Sequence, residues 1–154
     1  MSDVHHISIK SPFGDLTVFE DGGAIAALEW GRVPGGAPTP LLKKAATQLA
    51  EYFAGTRKEF DLPLRPQGTP FQKKVWRALQ KTPCGQTETY GALAKKLKTA
   101  PRAVGGACGA NPIPVLIPCH RVLGTGGALG GFSGGDGVAT KARMLAFEGV
   151  EMDD

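Results

Sequence analysis

A chain of 154 residues and 16.1 kDa holds one domain, or two small lobes sharing a core. With 42% hydrophobic and 21% charged residues it has the composition of an ordinary globule, and no stretch is long and apolar enough to span a bilayer. The net charge of +4 suits a polyanionic partner, while three cysteines without CxxC spacing indicate neither a disulfide framework nor a zinc site.

The N-terminus shows no apolar leader pattern, so a reducing, cytoplasmic setting without membrane contact is expected. Ile7 and Ile9 alternate with polar residues, and Ser11 to Asp15 reads as a turn. Leu16 to Glu20, an Asp21-Gly22-Gly23 turn and Ala24 to Trp30 complete an antiparallel meander. His5 and His6 stand beside it as solvent-facing residues. Gly31 to Pro38 is a loop, after which Thr39 caps a helix carrying Pro40 in its first turn. Leu41, Ala45, Leu49 and Phe53 form the expected buried stripe, and Gly55 stops the helix. Phe60 and Leu62 predict a further short strand.

Leu64 to Gly68 links two lobes, expected at 1–65 and 66–154. Thr69-Pro70-Phe71-Gln72 is a capping-box start, with Phe71, Val75 and Leu79 turned inward and Pro83-Cys84-Gly85 as the stop. A short helix over Tyr90 to Leu97 and a second from Ala100 to about Gly109 read as a helix-turn-helix. Lys73, Lys74, Arg77, Lys81, Lys95, Lys96, Lys98 and Arg102 gather here, with Glu88 the only acid among them. The second helix, Arg102-Ala103-Val104-Gly105-Gly106-Ala107-Cys108-Gly109, carries glycines that each cost about 1 kcal/mol of helix stability relative to alanine. Tight helix packing is one reason for such a composition. Close approach to a nucleic-acid backbone is the other. A bare face has few side chains to read base edges in a major groove, so a shape-read minor groove fits it better.

Ile117-Pro118-Cys119-His120-Arg121-Val122 follows a Pro-rich apolar run and precedes a Gly-rich one. An imidazole and a guanidinium beside a thiol favour its thiolate, the form that attacks electrophiles. In an extended segment the Cys119 and His120 side chains diverge, so a bridging water rather than direct contact is expected between them. The Gly124 to Gly137 stretch lacks the lysine of a phosphate loop and the spacing of a dinucleotide fingerprint. A hairpin near Arg121 to Leu129 is expected instead, then a last helix starting at Asp136, with Val138, Ala142, Met144 and Leu145 inward and Gly149 past its end.

The Cys119 hexapeptide, with Asn111-Pro112 before it and Phe132-Ser133-Gly134-Gly135 after it, resembles the active site of the O6-alkylguanine–DNA alkyltransferase family. The resemblance runs from about Thr69 to Gly149. It implies an α+β fold, with a small ribonuclease-H-like N-terminal lobe and a C-terminal winged helix-turn-helix lobe. It also implies irreversible transfer of an alkyl group from O6-alkylguanine, and from O4-alkylthymine, in double-stranded DNA to Cys119, one turnover per monomer, with no cofactor. Some members of that family carry a structural zinc in the N-terminal lobe, but no cysteine precedes Cys84 here, so no metal is expected. His120 would act through a water and be oriented by Glu148, Asn111 would brace the turn before Cys119, and Tyr90 would donate toward guanine N3. Arg102 would fill the gap left by a flipped nucleotide, with Ala103, Gly106 and Ala107 along the groove. The Cys119 and Val122 carbonyls, Phe132 and the Ser133 N–H would form the base pocket. Two departures stand out: Phe132 replaces a common tyrosine, and the Tyr90-to-Arg102 segment is about two residues short. A damage-binding module, a thiol hydrolase and a helix-turn-helix regulator are rival readings. The reactive cysteine, the Cys119–His120 adjacency and the lack of base-reading side chains respectively disfavour them.

Overall fold

The computed structural model describes residues 4–129 and 137–151. In the N-terminal lobe, strands β1 (Val4–Ile9), β2 (Leu16–Asp21) and β3 (Ala24–Trp30) form an antiparallel sheet in that order. Asp21 pairs with Ala24, which leaves Gly22 and Gly23 as the two-residue turn; their φ angles of 59° and 86° are those that the favoured hairpin turn demands. Helix α1 (Pro40–Phe53) packs on the sheet, its first turn closed by Thr39 Oγ1 accepting from Leu42 N–H at 3.1 Å. Its buried residues are Leu42, Ala45, Gln48, Leu49 and Tyr52, so the inward stripe is rotated from the expected one, and Leu41 and Phe53 are only partly buried. Phe60 and Leu62 form no strand. The chain instead meets the sheet two residues later, where Ile25 N–H donates to Pro63 O and Arg65 N–H to Ile25 O, both at 2.8 Å.

The C-terminal lobe begins with α2 (Pro70–Leu79), whose capping box is complete: Gln72 N–H donates to Thr69 Oγ1, and Thr69 N–H to Gln72 Oε1. The helix ends before the expected stop. Trp76, absent from the expected face, is fully buried with Val75 and Leu79, and its Nε1 donates to Ala107 O at 2.8 Å. Helices α3 (Tyr90–Leu97) and α4 (Pro101–Gly109) make the helix-turn-helix. Thr89 Oγ1 caps α3, and Lys98, at φ 57°, turns the chain toward α4.

The expected hairpin after Arg121 is absent among the described residues. Two short strands, β4 (Glu88–Thr89) and β5 (Val122–Leu123), pair in parallel instead, and Gly124 N–H closes a tight turn onto Ala128 O. That pairing ties the segment after Cys119 to the start of α3. Helix α5 (Val138–Phe147) follows, with Gly149 at φ 90° past its end. Val138 is exposed rather than inward; the buried face is Thr140, Lys141, Met144 and Leu145. Asp136, Phe132 and Ser133 lie outside the described residues. One apolar core runs through both lobes, from Leu16 and Ile25 through Leu49 and Trp76 to Ile117 and Met144.

Candidate active site and DNA-facing helix

Residues 111–121 leave α4 and return beneath it. Asn111 bridges that turn, its Oδ1 accepting from Ile113 N–H at 2.9 Å and its Nδ2 donating to Ile117 O at 2.8 Å. The N-terminal lobe holds the same turn through Leu28 N–H to Pro112 O at 2.9 Å. Cys119 then opens a 3-10 turn, Cys119–Arg121, rather than the extended segment the sequence predicts. The thiol is almost wholly buried. Burial pushes it up from its ordinary pKa, against the pull of the Asn111 side chain, the Lys141 ammonium and its own backbone N–H.

The neighbours of Cys119 both bond to Glu148. His120 is fully buried, with Nε2 2.9 Å from Glu148 Oε2 and Nδ1 without a protein partner. Facing a carboxylate, Nε2 carries the proton, which leaves Nδ1 as the basic lone pair. Burial pulls His120 below its ordinary pKa, against the hydrogen bond and charge of Glu148. Arg121 does not serve the thiol. Its Nε and Nη2 clamp the two oxygens of Glu148 at 2.8 Å each, and Nη1 donates to Thr82 O at 2.8 Å. Burial acts to raise Glu148, but the hydrogen bonds of Arg121 and His120 outweigh it and hold the carboxyl well below its usual range.

The positive charge that acts on the thiol belongs to Lys141, which the sequence reading passed over. It is fully buried on α5, its Nζ donates to Val122 O at 2.7 Å, and it lies 5.6 Å from the centre of the Tyr90 ring. None of the described carboxylates pairs with it. Burial therefore lowers its pKa, while Cys119 and Cys108 draw it back up. An ammonium without a carboxylate partner is free to stabilise a developing thiolate. The only sequence signal was a lysine falling on the same helical face as Met144 and Leu145. Val122 O, expected to accept from a base, already accepts from Lys141; a carbonyl has two lone pairs, so one remains. Tyr90 is half-buried at the start of α3, and burial, with the Cys108 and Cys119 sulfurs, pushes its phenol up to about 12, so it stays a proton donor.

Along α4, Arg102 and Gly106 are exposed and Ala103 partly so. Ala107 is not on that face: it is buried, with its carbonyl occupied by Trp76, and Gly109 continues the exposed edge instead. A Cβ added at Gly105, Gly106 or Gly109 would meet nothing within 4 Å. Packing inside the protein therefore does not require these glycines. No group of three or more potential metal ligands occurs among the described residues.

Fold and site together define a helix-turn-helix protein with a buried, nucleophile-type thiol at the foot of its second helix and a His–Glu–Arg cluster behind it. The chain matches the family model "6-O-methylguanine DNA methyltransferase, DNA binding domain" over residues 70–150 and the "6-O-methylguanine DNA methyltransferase, ribonuclease-like domain" over 4–66. It is 38% identical over 159 residues to the constitutive methylated-DNA–protein-cysteine methyltransferase of Bacillus subtilis, covering 95% of this chain and 96% of the relative. To the Mycobacterium tuberculosis methylated-DNA–protein-cysteine methyltransferase it is 40% identical, covering 94% and 92%. The crystal structure of Mycobacterium tuberculosis OGT in complex with DNA superposes with a TM-score of 0.83 at 38% identity, covering 94% of this chain and 93% of that one. The chain belongs to the 6-O-methylguanine DNA methyltransferase family.

Proposed function

We propose that this protein repairs DNA by moving the alkyl group of O6-alkylguanine, and of O4-alkylthymine, onto Cys119. The Cys119 sulfur forms a bond to the alkyl carbon as the C–O6 bond breaks. The thiol proton passes through a water to His120 Nδ1, and the electron pair left on guanine is neutralised by the Tyr90 phenol at N3. Glu148 steadies the imidazolium so formed. Lys141 stabilises negative charge as it develops on the sulfur, and Asn111 holds the turn that presents it. The Cys119 and Val122 carbonyls accept from the exocyclic amine of the base. The product is a thioether with no good leaving group, so each molecule acts once.

Alkylated bases sit inside the duplex stack, so the nucleotide must be extruded, at a cost of a few kcal/mol. Arg102 takes its place from the minor-groove side, with Ala103 and Gly106 against the groove. The division of labour falls near residue 65: 1–65 as scaffold and 66–154 as the binding and acceptor lobe of a cytoplasmic monomer. What carries the reading is the direct linkage, through Asn111, of an exposed small-residue helix to a buried thiol backed by His120 and Glu148.

The test is mass spectrometry after incubation with a duplex containing one O6-methylguanine. One methyl group per protein, on the peptide holding Cys119, is expected, with none on Cys119→Ser. Methyl transfer by that variant, or repeated turnover, would overturn the assignment.

A further inference from the structure

We propose that Tyr52, on the N-terminal lobe, is a positioning residue for the proton relay: its phenol shares Glu148 Oε2 with His120 and so sets how firmly the imidazole holds its proton. The inference rests on the reading above in which His120 takes the thiol proton. Tyr52 is buried at the C-terminal end of α1, and its hydroxyl donates to Glu148 Oε2 at 2.5 Å across 96 positions of sequence. The same oxygen accepts from His120 Nε2 at 2.9 Å and from Arg121 Nη2 at 2.8 Å. Burial, then the Glu148 charge, raises the phenol far above its ordinary pKa, so it donates throughout the working range.

Three donors crowd one oxygen whose lone pairs are limited. Each donor bound there draws carboxylate charge away from the others. A neutral donor in this position therefore weakens the grip of Glu148 on the imidazolium without adding a charge of its own. The other groups facing the cluster are Arg121 from the 3-10 turn, Lys141 from α5 and Cys84 from the loop after α2. Arg121 and Lys141 oppose protonation of His120, and Cys84 is kept as a neutral thiol by burial and by Glu148. Among the groups acting on Glu148, Tyr52 is the one supplied by the N-terminal lobe. That lobe is thus part of the reaction chemistry and more than a scaffold.

Tyr52→Phe keeps the ring, which packs with Phe53, Phe60 and Phe147 at centroid distances of 5.0 to 5.5 Å, and removes only the donor. With thiol and imidazole both neutral at rest, the acid limb of the alkyl-transfer rate reports protonation of His120. Losing the donor makes His120 more basic, so the limb moves to higher pH, by roughly half a unit or more. The His120 Nε2–H proton resonance moves downfield in the DNA-free protein as its bond to Glu148 strengthens; His5 and His6 are the other histidines to assign. Placing 3-fluorotyrosine at position 52 strengthens the donor and moves both readouts the opposite way, a second measurement that stands if Tyr52→Phe fails to fold. Unmoved limbs and resonances, or a rate loss equal at every pH, would reduce Tyr52 to packing. The resonance needs no alkyl transfer. A shifted resonance beside an active Cys119→Ser would therefore sink the acceptor assignment alone, whereas a fixed resonance in a competent protein would sink this inference alone.

Discussion

Gly106→Gln separates what α4 does for the fold from what it does for DNA. Gly106 sits mid-helix and exposed, and an added Cβ would meet nothing within 4 Å. Glutamine is close to alanine in helix propensity, so the free protein gains about 0.5–1 kcal/mol. For a chain of this length that is a rise of roughly 1–4 °C in Tm. On DNA the sign reverses. A face that lies against a groove has no room for a side chain of five heavy atoms, and overpacking a close contact costs about 1–3 kcal/mol. Affinity for duplex DNA should then fall about 5- to 150-fold. No charge has changed, so the slope of affinity against salt should stay as it was. Thermal unfolding without DNA and fluorescence anisotropy with a duplex, across a salt series, read both halves. Unchanged affinity would show that this face stands clear of DNA. A lower Tm would show that the glycine serves packing after all.

Arg102→Ala should slow repair in duplex DNA more than reaction with free O6-benzylguanine, since only the duplex requires extrusion; equal losses would remove Arg102 from that step. Glu148→Gln leaves the buried Arg121 guanidinium without its charge partner, a loss of about 3–5 kcal/mol at neutral pH. Because the folded-state pKa of Glu148 is depressed, the parent's advantage is full above the ordinary carboxyl value of about 4.3 and shrinks as pH falls below it. Paired melts from pH 7 to pH 3 check this, and a gap that widens in acid would contradict it. Alkylated Cys119 must displace packed atoms in a site that is 8% exposed. The benzylated protein should melt several degrees below the methylated one, and that below the free protein, at roughly 2–4 °C per kcal/mol of overpacking; equal melting temperatures would mean spare volume beside the sulfur.

Local chemistry was legible in the sequence, and long-range polar contacts were not. Thr39 and Thr69 each begin a helix because a side-chain oxygen can be matched to an N–H three residues on, within a window any reader can scan. The bounds of α3 matched their expected places, and the structure adds the reasons, the Thr89 cap and the left-handed Lys98 after Leu97. Cys119, Asn111 and His120 were visible because they cluster in sequence. Lys141 was not, because a lysine on a helix belongs in water by default, and only its burial against Val122 O shows otherwise. Tyr52 was missed for a different reason. An aromatic on an apolar face reads as packing, and the partner of its hydroxyl lies in the other lobe. The parallel pairing of β4 with β5 involves two residues a side, too few to leave a periodic trace.

The most unusual backbone position lies just ahead of the nucleophile. Val115 has φ 74°, a region that a β-branched side chain enters at a cost of about 1–3 kcal/mol, and it is almost wholly buried there. Such a conformation persists only where its surroundings leave no other. Asn111 fastens both ends of the turn around it, at Ile113 N–H and Ile117 O, and Ile117 N–H donates back to Ile113 O at 2.8 Å. Leu28 of β3 holds Pro112 from the other lobe. The route from the last turn of α4 to Cys119 is therefore fixed by four hydrogen bonds from three directions. Its geometry is set before DNA arrives. A thiol on a slack loop would have to be ordered in the course of the reaction, adding backbone entropy of about 1–2 kcal/mol per residue to its cost. By holding Val115 in strain in the folded state, the chain keeps that entropy out of the reaction.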